Sequence, residues 1–243
     1  FTLMRPDTAA APNPYRLQRV EDFLARVGDG LLTLSCRESN IAPDSLLAID
    51  RRRAEELKAG DASWITQFER GVSQALIKQY TNSVNTYTAA IDRNPSNPFL
   101  YFNRSTTRAE MIDFISSIDN SYQRITIDSD PANRLNNNSK RTYSYDEAVA
   151  DLNKALKLFP DFAHAYYNRA NLQALSGRLP EAFEDYTKAI GLNPSFAEAY
   201  YNRGIVQIFM KDTRKGCLDL SKAGELGITE AYEVLKRYAQ TQD

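Results

Sequence analysis

Three stretches of this chain are near-copies of one another: Tyr101-Phe102-Asn103-Arg104-Ser105, Tyr166-Tyr167-Asn168-Arg169-Ala170 and Tyr200-Tyr201-Asn202-Arg203-Gly204. The second and third lie 34 residues apart, and the first and second lie 65 apart, one period of 34 lengthened by 31. A fixed period of this size means one supersecondary unit used in tandem. Stacked units bury a continuous core between neighbours and build an extended surface rather than an enclosed pocket. The repeat therefore points to binding rather than to catalysis, and it leaves the partner unnamed.

The units are helical. Ala182, Tyr186 and Ala189 are spaced by four and three, which puts them on one helix face. The same face recurs as Ala148, Leu152 and Ala155, as Gly216, Leu220 and Ala223, and earlier as Ser83, Tyr87 and Ala90. Pro95, Pro160 and Pro194 fall just past the ends of three such helices, where a missing N–H does no harm. The alternation of small and large residues has a steric cause. Two antiparallel helices approach closely only where one presents Gly, Ala or Ser, and the ring or Leu fills the wider gap. Gly71, Ser105, Ala170 and Gly204 supply the small residue in the first helix of each pair.

This pattern resembles the tetratricopeptide repeat, a 34-residue helix–turn–helix unit. In that family helix A carries an early aromatic with Gly or Ala four residues on, and helix B carries Ala, an aromatic and Ala, with Pro near the end. Tyr166, Ala170, Ala182, Tyr186, Ala189 and Pro194 all match. The resemblance implies an all-α, right-handed α-solenoid of units 64–97, 98–162 with an insert at about 112–143, 163–196 and 197–230. It also implies a capping helix near 229–240, after a less regular segment 1–63. There are departures: Gln67 replaces the early aromatic of unit one, Ser83 its helix B Ala, and Gln173 and Gln207 a later Tyr of helix A. Unit four ends without its Pro.

In unit two the apolar stripe Met111, Phe114, Ile115 and Ile118 carries helix A two turns further. The short alternation Ile125-Thr126-Ile127-Asp128 reads as a strand or as nothing regular, and Asn136-Asn137-Asn138-Ser139 as an exposed loop. In the first segment Pro6, Pro12 and Pro14 favour an extended start, Leu17 to Val27 a helix, and Leu31 to Ser35 a strand or buried turn. Asp44 reads as the N-cap of a helix near 45–59, in which Arg51-Arg52-Arg53, balanced by Glu55 and Glu56, forms a solvated face. The chain opens on Phe1 rather than Met, which reads as a processed or expressed fragment.

Composition narrows the function. The net charge is -1, which gives no electrostatic reason to expect nucleic acid and disfavours a helical-repeat RNA binder. No apolar run approaches the roughly 18 residues of a membrane span. Cys36 and Cys217 are too few for a disulfide framework, fit no metal spacing and read as free thiols, Cys217 among core positions of a helix. His164 is the lone histidine and opens a repeat helix, so neither a nucleophilic triad nor a zinc site is expected. Asp128 and Asp130 lack the Gly and closing Glu of a calcium loop. No Gly-rich phosphate loop is present, and no cofactor is implied. Asn103-Arg104-Ser105 and Asn137-Asn138-Ser139 fit a glycosylation sequon, the former on a repeat helix.

The resemblance also implies where a partner binds. In the family, helix A lines the concave side and ligand meets its second, fifth, sixth, ninth, twelfth and thirteenth positions. Here the fifth are Phe68, Phe102, Tyr167 and Tyr201, and the ninth are Val72, Thr106, Asn171 and Ile205, with Ile208 and Phe209 added by unit four. Four such aromatics would make an apolar groove that a peptide, a partner helix, a second copy or the N-terminal segment covers. Asn103, Asn168 and Asn202, at the sixth position, would grip a peptide backbone or bond between repeats. Some members clamp a C-terminal carboxylate with Lys, Asn, Asn, Lys and a further basic residue. Asn171 and Asn202 match the two Asn places, but Tyr167 stands where the first Lys belongs. Lys236 fits the last basic place only without the two-residue shift that Ala231-Tyr232 indicates, and the remaining Lys place falls on Tyr232 or Glu230. A working clamp is not expected. The implied function is a protein–protein interaction scaffold without catalysis. The alternative is a repeat domain of a larger enzyme or surface protein whose activity lies outside this chain.

Overall fold

The structure, a computed structural model, describes residues 43–60, 63–129 and 144–239. It holds ten helices and, among the described residues, no strand. In chain order they are α1 (Pro43–Lys58), α2 (Trp64–Leu76), α3 (Tyr80–Arg93), α4 (Pro98–Ser129) and α5 (Asp146–Leu158), then α6 (Ala163–Leu175), α7 (Leu179–Leu192), α8 (Ala197–Phe209), α9 (Thr213–Glu225) and α10 (Glu230–Ala239). The chain forms two compact units, one ending at Asp151 and the other beginning at Leu152. In the first, α1 packs on α2, α2 on α3 and α3 on α4; in the second, α6 packs on α7, α7 on α8, α8 on α9 and α9 on α10.

In the first unit, the nesting of small against large holds α2 to α3. A Cβ on Gly71 would lie 2.8 Å from the ring of Tyr87, which is wholly buried. Ser83, the departure from Ala, uses its hydroxyl to donate to the carbonyl of Gly71 across the helix pair at 2.7 Å. Ser105 of α4 does the same to Ala148 of α5, also at 2.7 Å. A buried hydroxyl is tolerated at a tight crossing because it finds an acceptor there.

In the second unit α8 and α9 meet backbone to backbone at two glycines. A Cβ on Gly204 would lie 2.8 Å from the Gly216 carbonyl, and one on Gly216 would lie 2.7 Å from the Gly204 carbonyl. Ala170, Ala182, Tyr186 and Ala189 form the equivalent core between α6 and α7. Helix A ends alike in three repeats, with a left-handed residue at Lys78 (φ 63), Gly177 (φ 75) and Lys211 (φ 67). The next amide then closes the turn, as Asp212 N donates to the Gln207 carbonyl at 2.9 Å.

Three expectations are corrected. Ile125 to Asp128 lies inside α4, which runs for 32 residues. No Gly or Pro interrupts it between Phe99 and Ser129, so nothing stops the helix where a strand was expected. The first described helix starts at Pro43, which leaves Asp44 in its first turn rather than at its cap. Arg53 is not on a solvated face. Its side chain is 4% exposed and pairs with the buried Glu69 of α2 at 2.5 Å, while Glu56 accepts from it at 2.7 Å. The expectations for residues 1–41, Cys36 among them, and for the Asn run at 136–139 lie outside the described residues.

Candidate interaction face

The repeated Asn-Arg dipeptide is the local feature that orders each helix A, and its arginine was assigned no role from the sequence. Arg169 donates through Nε and Nη2 to both carboxylate oxygens of Asp185 at 2.6 and 2.7 Å, and through Nη1 to Asn153 of the preceding repeat at 2.7 Å. Arg203 does the same to Asp219 at 2.6 and 2.8 Å, and reaches Thr187 of the preceding repeat at 3.1 Å. In the first unit Arg104 holds Asp151 at 2.9 and 2.5 Å and Thr88 at 2.9 Å. Each guanidinium also lies over the aromatic that opens its motif: Tyr101, Tyr166 and Tyr200, at 5.8, 5.5 and 5.6 Å. One planar fork thus ties helix A to its own helix B and to the helix B before it. The bond to Asp185 raises the Arg169 pKa further above its ordinary value. The sequence did contain the clue. An Asp follows the Arg by 16 residues in the two uninterrupted repeats.

The residues expected to meet a ligand divide into two groups. In the first unit they are core. Phe102 is wholly buried and Val72 nearly so. Asn103 donates to the carbonyl of Phe99 in its own helix at 2.8 Å, and Thr106 to that of Phe102 at 3.1 Å. Phe68 is half-buried with its ring 5.9 Å from Tyr87. The first two repeats therefore do not present an accessible row of rings.

In the second unit the helix A positions run from buried to exposed. Tyr167 and Asn168 are buried, and Tyr167 lies 4.7 Å from Phe196 and 5.9 Å from Tyr186 between ring centroids. Tyr201, Ile205 and Ile208 are half-buried and pack beside Leu220, Ala223 and Ala231. Leu175 and Phe209, both at the thirteenth position, are 58% and 70% exposed. Asn171 and Asn202 are half-buried between these extremes.

A small hydrogen-bond network fixes those two amides. The Tyr186 hydroxyl donates to Asn171 Oδ1 at 2.6 Å, and Asn202 Nδ2 donates to the same oxygen at 2.9 Å and to the Tyr167 hydroxyl at 3.1 Å. Asn202 thus bonds between repeats, one of the two roles open to it in the sequence. Asn171 Oδ1 is filled and Asn202 Nδ2 is used, which leaves Asn202 Oδ1 to accept and Asn171 Nδ2, on the side of the Tyr167 hydroxyl, to donate. Burial raises the pKa of the Tyr167 and Tyr186 hydroxyls and keeps both neutral. The charge of Glu198 adds to this at Tyr167.

Ala231 is wholly buried, as are Ala165 and Ala199 in the helices before it. That register carries the two-residue shift and moves Lys236 off the last basic place of the carboxylate clamp. Cys217 is a half-buried free thiol. Among the described residues no group of three or more His, Cys, Asp or Glu could hold a metal ion, and no helix is long and apolar enough to cross a membrane.

A family model described as TPR repeat matches residues 144–177 and 174–208. No curated protein matches the sequence. Among solved structures, a crystal structure of MamA is 18% identical, with a TM-score of 0.58 over 78% of this chain and 92% of that one. MamA from Desulfovibrio magneticus RS-1 is 14% identical, with a TM-score of 0.58 over 90% of this chain and 97% of that one. YrrB, described as a TPR protein with an unusual peptide-binding site, is 16% identical, with a TM-score of 0.56 over 79% and 86%. At these identities the likeness is one of fold. Residues 144–208 thus match tetratricopeptide repeats, and the chain's fold is of the helix–turn–helix solenoid class.

Proposed function

We propose that this protein is an interaction scaffold that binds an extended protein segment on the helix A face of its third and fourth repeats. The observation that carries the reading is the amide pair. Asn171 and Asn202 are locked by Tyr186 and Tyr167 so that one offers a donor and the other an acceptor. A peptide bond offers the complementary pair, and a pre-oriented amide loses little entropy on engaging it. Leu175 and Phe209 flank the pair as exposed apolar surface that a bound segment would cover.

The test is photo-crosslinking. A benzophenone amino acid placed at Phe209 should trap a partner that the same group at Leu218, exposed on helix B, does not trap. Adding Asn171→Ala and Asn202→Ala should remove the adduct at a temperature where circular dichroism shows the variant folded, since the change also takes the acceptor from the Tyr186 hydroxyl and lowers stability. Equal adducts from positions 209 and 218, or adducts indifferent to the two Asn changes, would refute the site.

A further inference from the structure

Glu198, Asn202, Ile205 and Phe209 are spaced by four, three and four along α8 and so form one stripe on the proposed face. Glu198 is exposed, and among the described residues it makes no ion pair. Its neighbours at the inner positions of α6 and α8 are His164, Tyr167, Asn171, Leu175, Tyr201 and Ile208, with no Lys or Arg among them. The register of α10, set by buried Ala231, gives the next helix Glu233 where α8 has Tyr201 and Arg237 where α8 has Ile205, so that helix adds no net charge to the face. The nearest cation along the stripe is Lys211, in the turn past Phe209. It stands about 20 Å from Glu198 at the helical rise. On α6 and α8 the one Asp, Glu, Lys or Arg side chain at the inner positions named is therefore that of Glu198. A free C-terminal carboxylate would meet Glu198 and find no cation at the inner positions of α6 and α8.

We infer that this face selects an extended segment from within a partner chain that carries Lys or Arg opposite Glu198, and that it rejects a free C-terminal carboxylate. The inference rests on the amide-pair reading and adds its charge rule. The pairing is solvent-exposed, so it contributes modestly to affinity and more to selectivity and to the rate of encounter. Glu198 also lies in the first turn of α8, where a negative charge suits the helix N-terminus. A structural role of that kind would shift stability and leave peptide preference alone, so the two roles separate in one experiment.

The experiment is selection by the full chain from random peptides displayed in two formats, one joined at both ends and one with a free C-terminus. Wild type should enrich Lys- or Arg-bearing peptides in the internal format. Synthetic versions of these should bind Glu198→Gln about threefold more weakly and Glu198→Lys about tenfold more weakly. Selection on Glu198→Lys should turn the preference to Asp and Glu. Circular dichroism melts confirm that each variant is folded, and the Gln variant keeps the test open if the Lys variant is not. The charge rule is overturned if wild type enriches peptides ending in a free carboxylate, or if wild type and Glu198→Lys enrich the same charge class. The combined Asn171→Ala and Asn202→Ala variant should capture nothing from the library. If it captures the same peptides as wild type, the site reading itself is wrong whatever their charge, and an empty selection by wild type overturns both.

Discussion

The arginine fork should be a measurable part of the stability of the second unit. Asp185→Ala removes two hydrogen bonds to Arg169 and leaves its guanidinium with Asn153 and the face of Tyr166. The Arg169 side chain is 20% exposed and that of Asp185 8%. Such a pair lies between exposed ion pairs, worth about 0–1 kcal/mol, and buried ones, where losing one partner costs about 3–5 kcal/mol. We expect about 2 kcal/mol for Asp185→Ala. Arg169→Ala should cost about 1 kcal/mol more, because it also gives up Asn153 and the stacking on Tyr166. The double variant should cost about 1–2 kcal/mol less than the sum of the two, which is their coupling. Lys222 and Glu225 serve as the control pair. Their side chains are 46% and 59% exposed, and no coupling that urea melts resolve is expected. Urea unfolding followed by circular dichroism reads all of these. Native-state hydrogen exchange on α6 and α7 guards against a repeat array that does not unfold as one unit. A coupling between Arg169 and Asp185 no larger than that of the control pair would show that the fork ties nothing together.

Three other outcomes follow from the packing. Gly204→Ala puts a methyl 2.8 Å from the Gly216 carbonyl and should cost about 1–3 kcal/mol, and an unchanged denaturation midpoint would mean that α8 and α9 are further apart. Lys211→Gly relieves a left-handed residue at φ 67 and should raise stability by about 1 kcal/mol in urea melts, where a loss would contradict the turn. The Tyr186 pKa is raised on folding, so its contribution is complete below the ordinary tyrosine value near 10 and is lost as pH climbs from there toward the folded value. Denaturation midpoints taken from about pH 8 to 11 should therefore fall less steeply for Tyr186→Phe than for wild type, and parallel curves would refute the assignment.

The repeat and its register were legible because they rest on local sequence. Tyr186 between Ala182 and Ala189, and Gly71 against Tyr87, follow from helical spacing and from the closeness that paired helices require. What escaped depends on partners distant in sequence. Arg53 reads as one cation in a solvated run until Glu69 is brought to it from the next helix. Phe102 occupies a position that faces ligand in related repeats, yet here it has no exposed surface. Arg104, Arg169 and Arg203 lie inside the most repeated words of the chain, yet their role rests on Asp partners in another helix. The amide network was half visible. The Asn positions could be named, but only the hydroxyls of Tyr167 and Tyr186 decide which atom of each amide is engaged.

A crystal structure of the full chain with a peptide taken from the selection would test the central claim most directly. The account predicts a main-chain carbonyl accepting from Asn171 Nδ2, a main-chain amide donating to Asn202 Oδ1 and a basic side chain beside Glu198. A peptide seated instead on the helix B face around Leu218, with both amides still facing solvent, would contradict it.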